Sequence, residues 1–99
     1  MRQPIERLEE KLLKENLWLF LMILLSEKKR HRTELRSLIE KRFHFLPGQV
    51  TSYKVLFLLE QGNYVKKDND KYYHATKKGI EQMKKAKKML KDTVNLLKQ

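Results

Sequence analysis

Apolar positions recur at steps of three and four along most of the chain, and only one stretch alternates residue by residue. Ile5, Leu8, Leu12 and Leu13 form one stripe among charged neighbours, with Pro4 at a first-turn position. This predicts an amphipathic helix whose stripe needs a partner. The run Leu17–Leu25 is apolar on all sides, the mark of a helix enclosed by other elements. Together these segments give a long first helix over 4–26, and full enclosure in so small a domain is expected to take a second subunit. Leu35, Leu38, Ile39 and Phe43 share one face of a short helix, which Thr33 is placed to cap, while Arg36, Glu40 and Arg42 fall on the solvent side. Phe45-Leu46-Pro47-Gly48 interrupts the pattern, because proline lacks a backbone donor and glycine is helix-weak. The next helix, Pro47 to Gln61, is polar at its start (Gln49, Thr51, Ser52, Lys54) and apolar over Val55–Leu59, with Gly62 in a C-cap position.

Tyr64 to Gly79 is the alternating stretch. It reads as two short strands around Asp68-Asn69-Asp70, residue types that reverse a chain by bonding their own main chain. Tyr73 and Ala75 fall on one face, Tyr72 and His74 on the other. Thr76 then caps a final helix over 77–99, on the order of 34 Å long. Ile80, Met83, Leu90, Val94 and Leu97 fit a heptad seam broken by Lys87. That seam calls for a helix partner, either the first helix of the same chain or a second copy. Lys77, Lys78, Lys84, Lys85, Lys88 and Lys91 form a basic face off the seam.

The fold class is therefore mainly α with one β-hairpin, a winged helix-turn-helix with long N- and C-terminal helices. One domain is expected over 1–99, with the helix-turn-helix at 33–62, the wing at 64–76 and a dimerisation helix at 77–99. A chain of 99 residues supports one core.

Charge turns this frame toward a partner. The chain carries 23 Lys and Arg against 12 Asp and Glu, net +11, which points to a polyanion, with double-stranded DNA the foremost. The plainer reading of such lysine content is solubility and surface ion pairing. The absence of cysteine excludes disulfides, thiolate zinc sites and cysteine nucleophiles. The apolar run Leu17–Leu25 falls well short of the roughly 20 residues a membrane span needs. Acidic residues precede it and no cleavage site follows, so a cytoplasmic protein without a signal peptide or membrane partner is expected. His31, His44 and His74 lack metal-ligand spacing, and there is neither a glycine-rich phosphate loop nor a serine elbow. No enzyme activity, metal or cofactor is expected.

The element order assigns roles. The helix Pro47 to Gln61 is the reader, offering Gln49, Thr51, Ser52, Tyr53 and Lys54 at its start, and Gln49 has the amide geometry for an adenine edge. Phosphate contacts need charge and reach, which Lys28, Lys29, Arg30 and Arg32 supply before the second helix and Lys66, Lys67 and Lys71 on the wing. The acidic tip, Asp68 and Asp70, is expected to stay out of the groove. The dimer interface is expected from Leu8, Leu12, Ile80, Met83, Leu90, Val94 and Leu97. Trp18, Phe20, Phe43 and Tyr53 could enclose an aromatic small-molecule effector, although aromatic side chains in a small core more often simply pack.

The stretch Leu58-Glu60-Gly62-Val65, followed by Lys71-Tyr72-Tyr73-His74-Ala75-Thr76-Lys77-Lys78-Gly79, resembles the end of the recognition helix and the wing of PadR-type and MarR-type transcriptional regulators. Leu46-Pro47-Gly48 is similar to the turn before the family's recognition helix. Small archaeal winged-helix DNA-binding proteins with a long terminal coiled-coil helix are similar in plan. The resemblance covers roughly Asn16 to Met83 and departs from the PadR pattern at Arg32-Thr33, at Tyr53 and at the acidic wing tip. It implies a homodimeric DNA-binding repressor whose terminal helices form the interface. The expected function is a sequence-specific transcriptional regulator. The alternatives are a sequence-indifferent architectural DNA binder and a protein-interaction winged helix.

Overall fold

The structure, a computed structural model, describes residues 3–98. In place of one helix over 4–26, the chain forms α1 (Pro4–Leu12), a single 3-10 turn (Lys14–Asn16) and α2 (Leu17–Glu27). The break needs neither proline nor glycine. The Asn16 side chain donates to the Lys11 carbonyl at 2.8 Å, occupying an acceptor that a continuous helix would give to the main-chain N–H of Glu15.

α2 is the central element. Leu17, Leu19, Leu21, Met22, Leu24 and Leu25 are all buried, because α3 (Leu35–Phe43), α4 (Gln49–Gln61), a small sheet and α5 (Lys77–Leu96) pack around it. The core is completed by Leu35 and Ile39 from α3, Leu56 and Leu59 from α4, Val65 and Tyr73 from the sheet, and Met83 from α5. Phe43 and Phe45 pack on Phe20, with ring centroids 4.9 and 5.2 Å away. Tyr53 instead lies under the Arg32 guanidinium. The four aromatic residues proposed to enclose an effector therefore do not share one cavity.

The connection after α2 is not wholly irregular. Arg30–His31 forms a strand, β1, which adds to the hairpin of β2 (Val65–Lys67) and β3 (Tyr72–Ala75). The sheet is antiparallel in the order β1-β3-β2, with Arg30 opposite Tyr73 and Val65 opposite Ala75. Tyr73 faces the core, as the alternation requires, and Tyr72 and His74 face outward. Thr33 does not cap α3, whose N-cap position is Glu34 and carries no side-chain capping bond; the cap belongs to the 3-10 turn before it and is His31. The His31 ring accepts from the Thr33 N–H and the His31 N–H donates to Glu34, a capping box around a 3-10 turn at Arg32–Glu34.

Gly62 is the C-cap of α4, as expected, and the left-handed position falls on the next residue, Asn63, at φ 63°. Only Leu56 and Leu59 of the apolar run Val55–Leu59 are buried, and Phe57 and Leu58 remain exposed, since an unbroken apolar run necessarily winds onto both faces of a helix. Thr76 caps α5 as expected, accepting from the Gly79 N–H at 3.2 Å. Gly79 brings the first turn of α5 against the main chain of the wing. A Cβ there would lie 2.2 Å from the Tyr64 carbonyl oxygen and 2.5 Å from the Met22 methyl.

The heptad seam of α5 serves two purposes. Met83 is buried in the chain's own core and is not available to an interface, whereas Ile80 is half-buried and packs against that core with part of its surface left open. Beyond Ala86 every described residue of the chain is exposed, including Met89, Leu90, Val94 and Leu97. α1 also buries none of its residues. The radius of gyration, 14.3 Å, exceeds the about 13 Å of a compact chain this long, as projecting helices require.

Candidate nucleic-acid interface

α4 is aimed by its turn. His44 closes α3 in a left-handed conformation, and Arg36, half-buried rather than solvated, donates from Nε to the Pro47 carbonyl at 2.9 Å. Pro47 and Gly48 precede the helix, with Gly48 as its N-cap. Gln49, Val50, Thr51 and Lys54 are exposed over the first turns. Ser52 is not: it is 1 % exposed, and its hydroxyl donates to the Gly48 carbonyl at 2.8 Å. It shares the inward face with Leu56 and Leu59, at i, i+4 and i+7, and cannot read a base. Val50, 83 % exposed, is the residue that sequence reasoning missed. Its signal was weak, because Tyr53 and Phe57 stand at i+3 and i+7 from it, so the spacing alone is equally that of a core residue.

The cations ahead of α3 divide. Lys28 is exposed. Lys29 is exposed too, but lies 3.9 Å from the Asp68 carboxylate and 5.5 Å from the Tyr72 ring centroid, against the wing. Arg30 is consumed internally, because its guanidinium donates to the Leu24 carbonyl at 3.1 Å and to Glu27 at 2.9 Å, which removes it as a phosphate contact. Glu27 also receives Arg42. The hydrogen bond from Arg42, then its charge and the Arg30 bond, hold the Glu27 carboxyl below its ordinary range. This clamp joins the end of α2, β1 and the end of α3.

On the wing, Lys66, Lys67 and Lys71 are all exposed. The outward face also carries His31, whose ring meets Tyr72 edge-on at 5.2 Å. The acidic tip builds the turn itself. Asp68 accepts from the N–H groups of Asp70 and Tyr72, each at 3.0 Å, and Lys71 takes the left-handed position at φ 65°. The Tyr72 N–H first, then the Asp70 N–H and the charges of Lys29 and His74, lower the Asp68 pKa. A lowered folded-state pKa means that the turn is stabilised above the ordinary carboxyl value, near 3.8, and loses that contribution only as pH falls through the lower folded value. The amide shifts of Asp70 and Tyr72 are therefore expected to titrate in NMR with a midpoint below that ordinary value. A midpoint at or above it would contradict the assignment.

Among the described residues no group of three or more His, Asp or Glu side chains is placed to hold a metal ion. No helix there is long and apolar enough to cross a membrane.

The chain, a helix-turn-helix with a three-stranded antiparallel sheet and a long projecting helix, is similar to a solved protein. The crystal structure of a PadR-like transcriptional regulator from Bacillus cereus strain ATCC 14579 matches over 84 % of this chain and 91 % of that chain, with 27 % sequence identity and a TM-score of 0.66. The fold is a PadR-like winged helix. The likeness favours the PadR-like half of the expected resemblance and does not speak for the MarR-type half or for an archaeal source. No protein-family model and no curated protein matches the sequence.

Proposed function

We propose that the chain is a DNA-binding transcription regulator that acts as a homodimer and reads a specific duplex sequence with the start of α4. The observation that carries this reading is the exposed tip Gln49, Val50, Thr51 and Lys54 on a winged-helix frame of net charge +11. A helix fits the major groove with its N-terminal residues on base edges. Gln49 suits an adenine edge and the Val50 methyls suit a thymine methyl. Lys28, Lys54, Lys66, Lys67 and Lys71 are all exposed and supply the charge and reach that phosphate contacts need. The PadR-like regulator of similar structure supports the same reading.

The homodimer is supported by what a single copy leaves uncovered. Leu12, Trp18, Phe20, Ile23, Leu90 and Val94 line an apolar groove of about 850 Å³ between α1, α2 and α5. Leu8 and Leu97 continue the uncovered apolar surface. Two copies that exchange these faces would set two readers about one duplex turn apart, on the order of 34 Å.

The test is a mobility assay with competitor DNA at physiological salt. A duplex that survives competition supports the regulator. Binding that weakens equally for all sequences favours the architectural alternative, to which the exposed lysine face of α5 (Lys84, Lys85, Lys88, Lys91) lends weight. In the same assay, Lys54→Ala is expected to weaken binding several-fold, about 1 kcal/mol, and to flatten the salt dependence. Unchanged affinity would count against α4 as the reader.

A further inference from the structure

We propose that Arg32 is a phosphodiester clamp, and that Tyr53 contributes to DNA binding as the positioning residue that holds it, not as a base reader. The proposal rests on the reading of the chain as a DNA-binding protein and adds a specific contact to it.

The neighbouring arginines each end on an internal acceptor: Arg30 on Leu24 and Glu27, Arg36 on Pro47, and Arg42 on Glu27. Arg32 does not. Its guanidinium lies 4.7 Å from the centroid of the Tyr53 ring, and its Nε is shut off from solvent without a hydrogen-bond partner. No described residue receives a hydrogen bond or ion pair from its side chain. The Nε side is therefore turned into the protein, and the Nη edge of the fork is the part left for a ligand.

A guanidinium stacked on an aromatic face keeps its plane fixed and its Nη edge free, the geometry that suits the two unesterified oxygens of a phosphodiester. The main chain holds the residue at the junction of wing and reader, since the Arg32 N–H donates to the Lys71 carbonyl at 3.3 Å. The Tyr53 ring comes from the first turns of α4, so the same stack fixes the clamp relative to the reading helix. Exposed Lys54 and Lys71, on the elements to either side, add to the attraction for an anionic backbone.

The experiment measures affinity for a labelled mixed-sequence duplex across a salt series, for the full chain and its variants, with thermal melting as a check on folding. Arg32→Ala is expected to lose about tenfold in affinity and to reduce the slope of log affinity against log salt by about one. Tyr53→Phe keeps the ring and should match the wild type. Tyr53→Leu should lose affinity and slope as Arg32→Ala does, and the double variant should be no worse than Arg32→Ala alone. Arg32→Lys should keep the slope and lose several-fold in affinity. An unchanged slope in a folded, DNA-binding Arg32→Ala would overturn the proposal, as would additive losses in the double variant. A loss in Tyr53→Phe would return the hydroxyl to base or phosphate contact and also overturn it. Wild-type protein that binds no duplex at low salt would remove the DNA-binding reading and the clamp together.

Discussion

Gly79→Ala is expected to destabilise the fold by about 3 kcal/mol, at the upper end of what an added methyl costs in a packed interior. The new Cβ would lie 2.2 Å from the Tyr64 carbonyl oxygen. That oxygen cannot move freely, because it accepts the Thr76 N–H at 3.0 Å. Relief by displacing α5 is also constrained. The helix start is tied to the turn after α4 by the Thr76 hydroxyl donating to the Asn63 carbonyl at 2.6 Å and by Lys78 donating to the Gly62 carbonyl at 2.9 Å. The strain would pass to Met22, in the middle of the core, and to the start of the long helix. A loss of this size lowers the melting temperature by roughly 12 to 24 °C in a domain of this length. Gly48→Ala is the control, since a Cβ there meets only Thr51, at 3.6 Å, an ordinary contact. Its melting temperature should stay within a few degrees of the wild type. Equal melting temperatures for Gly79→Ala and the wild type would show that α5 does not approach the wing as described.

Leu90→Lys is expected to weaken self-association by about 3 kcal/mol, on the order of 100-fold, through a charge placed in the middle of an apolar contact. Leu90 lines the groove between α2 and α5 but lies beyond Met83, the last residue of α5 buried in the chain's own core. The substitution should therefore spare the folded monomer. Sedimentation of wild type and variant at matched concentrations is the measurement. A dimer that becomes a monomer of unchanged helicity supports the proposed interface. A monomeric wild type, or a variant that stays dimeric, removes it.

Much of the fold was legible because the burial requirement leaves a periodic trace. α2 is apolar on every side and lies at the centre, and the alternation of Tyr72-Tyr73-His74-Ala75 set the wing's facing correctly. Features that leave no periodic trace escaped. A strand as short as Arg30–His31 has no alternation to detect, and it exists because β3 offers an open edge. The break between α1 and α2 coincides with one amide, Asn16, bonded to the Lys11 carbonyl, a contact that no periodicity announces. Seam spacing alone could not say that Met83 packs inward while Leu90 does not, because both satisfy the same heptad and only the length of the core beneath α5 separates them.

At the candidate site, residue type was a weaker guide than helical phase. Ser52 and Thr51 look equivalent as hydrogen-bonding residues, yet one turns inward to Gly48 and the other outward. Arg30 and Arg32 look equivalent as cations, yet Glu27 and the Leu24 carbonyl take the first and leave the second. Such distinctions depend on which acceptors the fold brings near, which the local sequence does not encode.

We propose that α4 reads a particular duplex sequence from within a symmetric dimer. Selection of bound duplexes from a random pool, at physiological salt and with competitor DNA, tests it most directly. The expected result is enrichment of a pseudo-palindrome with half-sites about one duplex turn apart. A bound pool with no sequence preference, or an enriched site without two-fold symmetry, would contradict it.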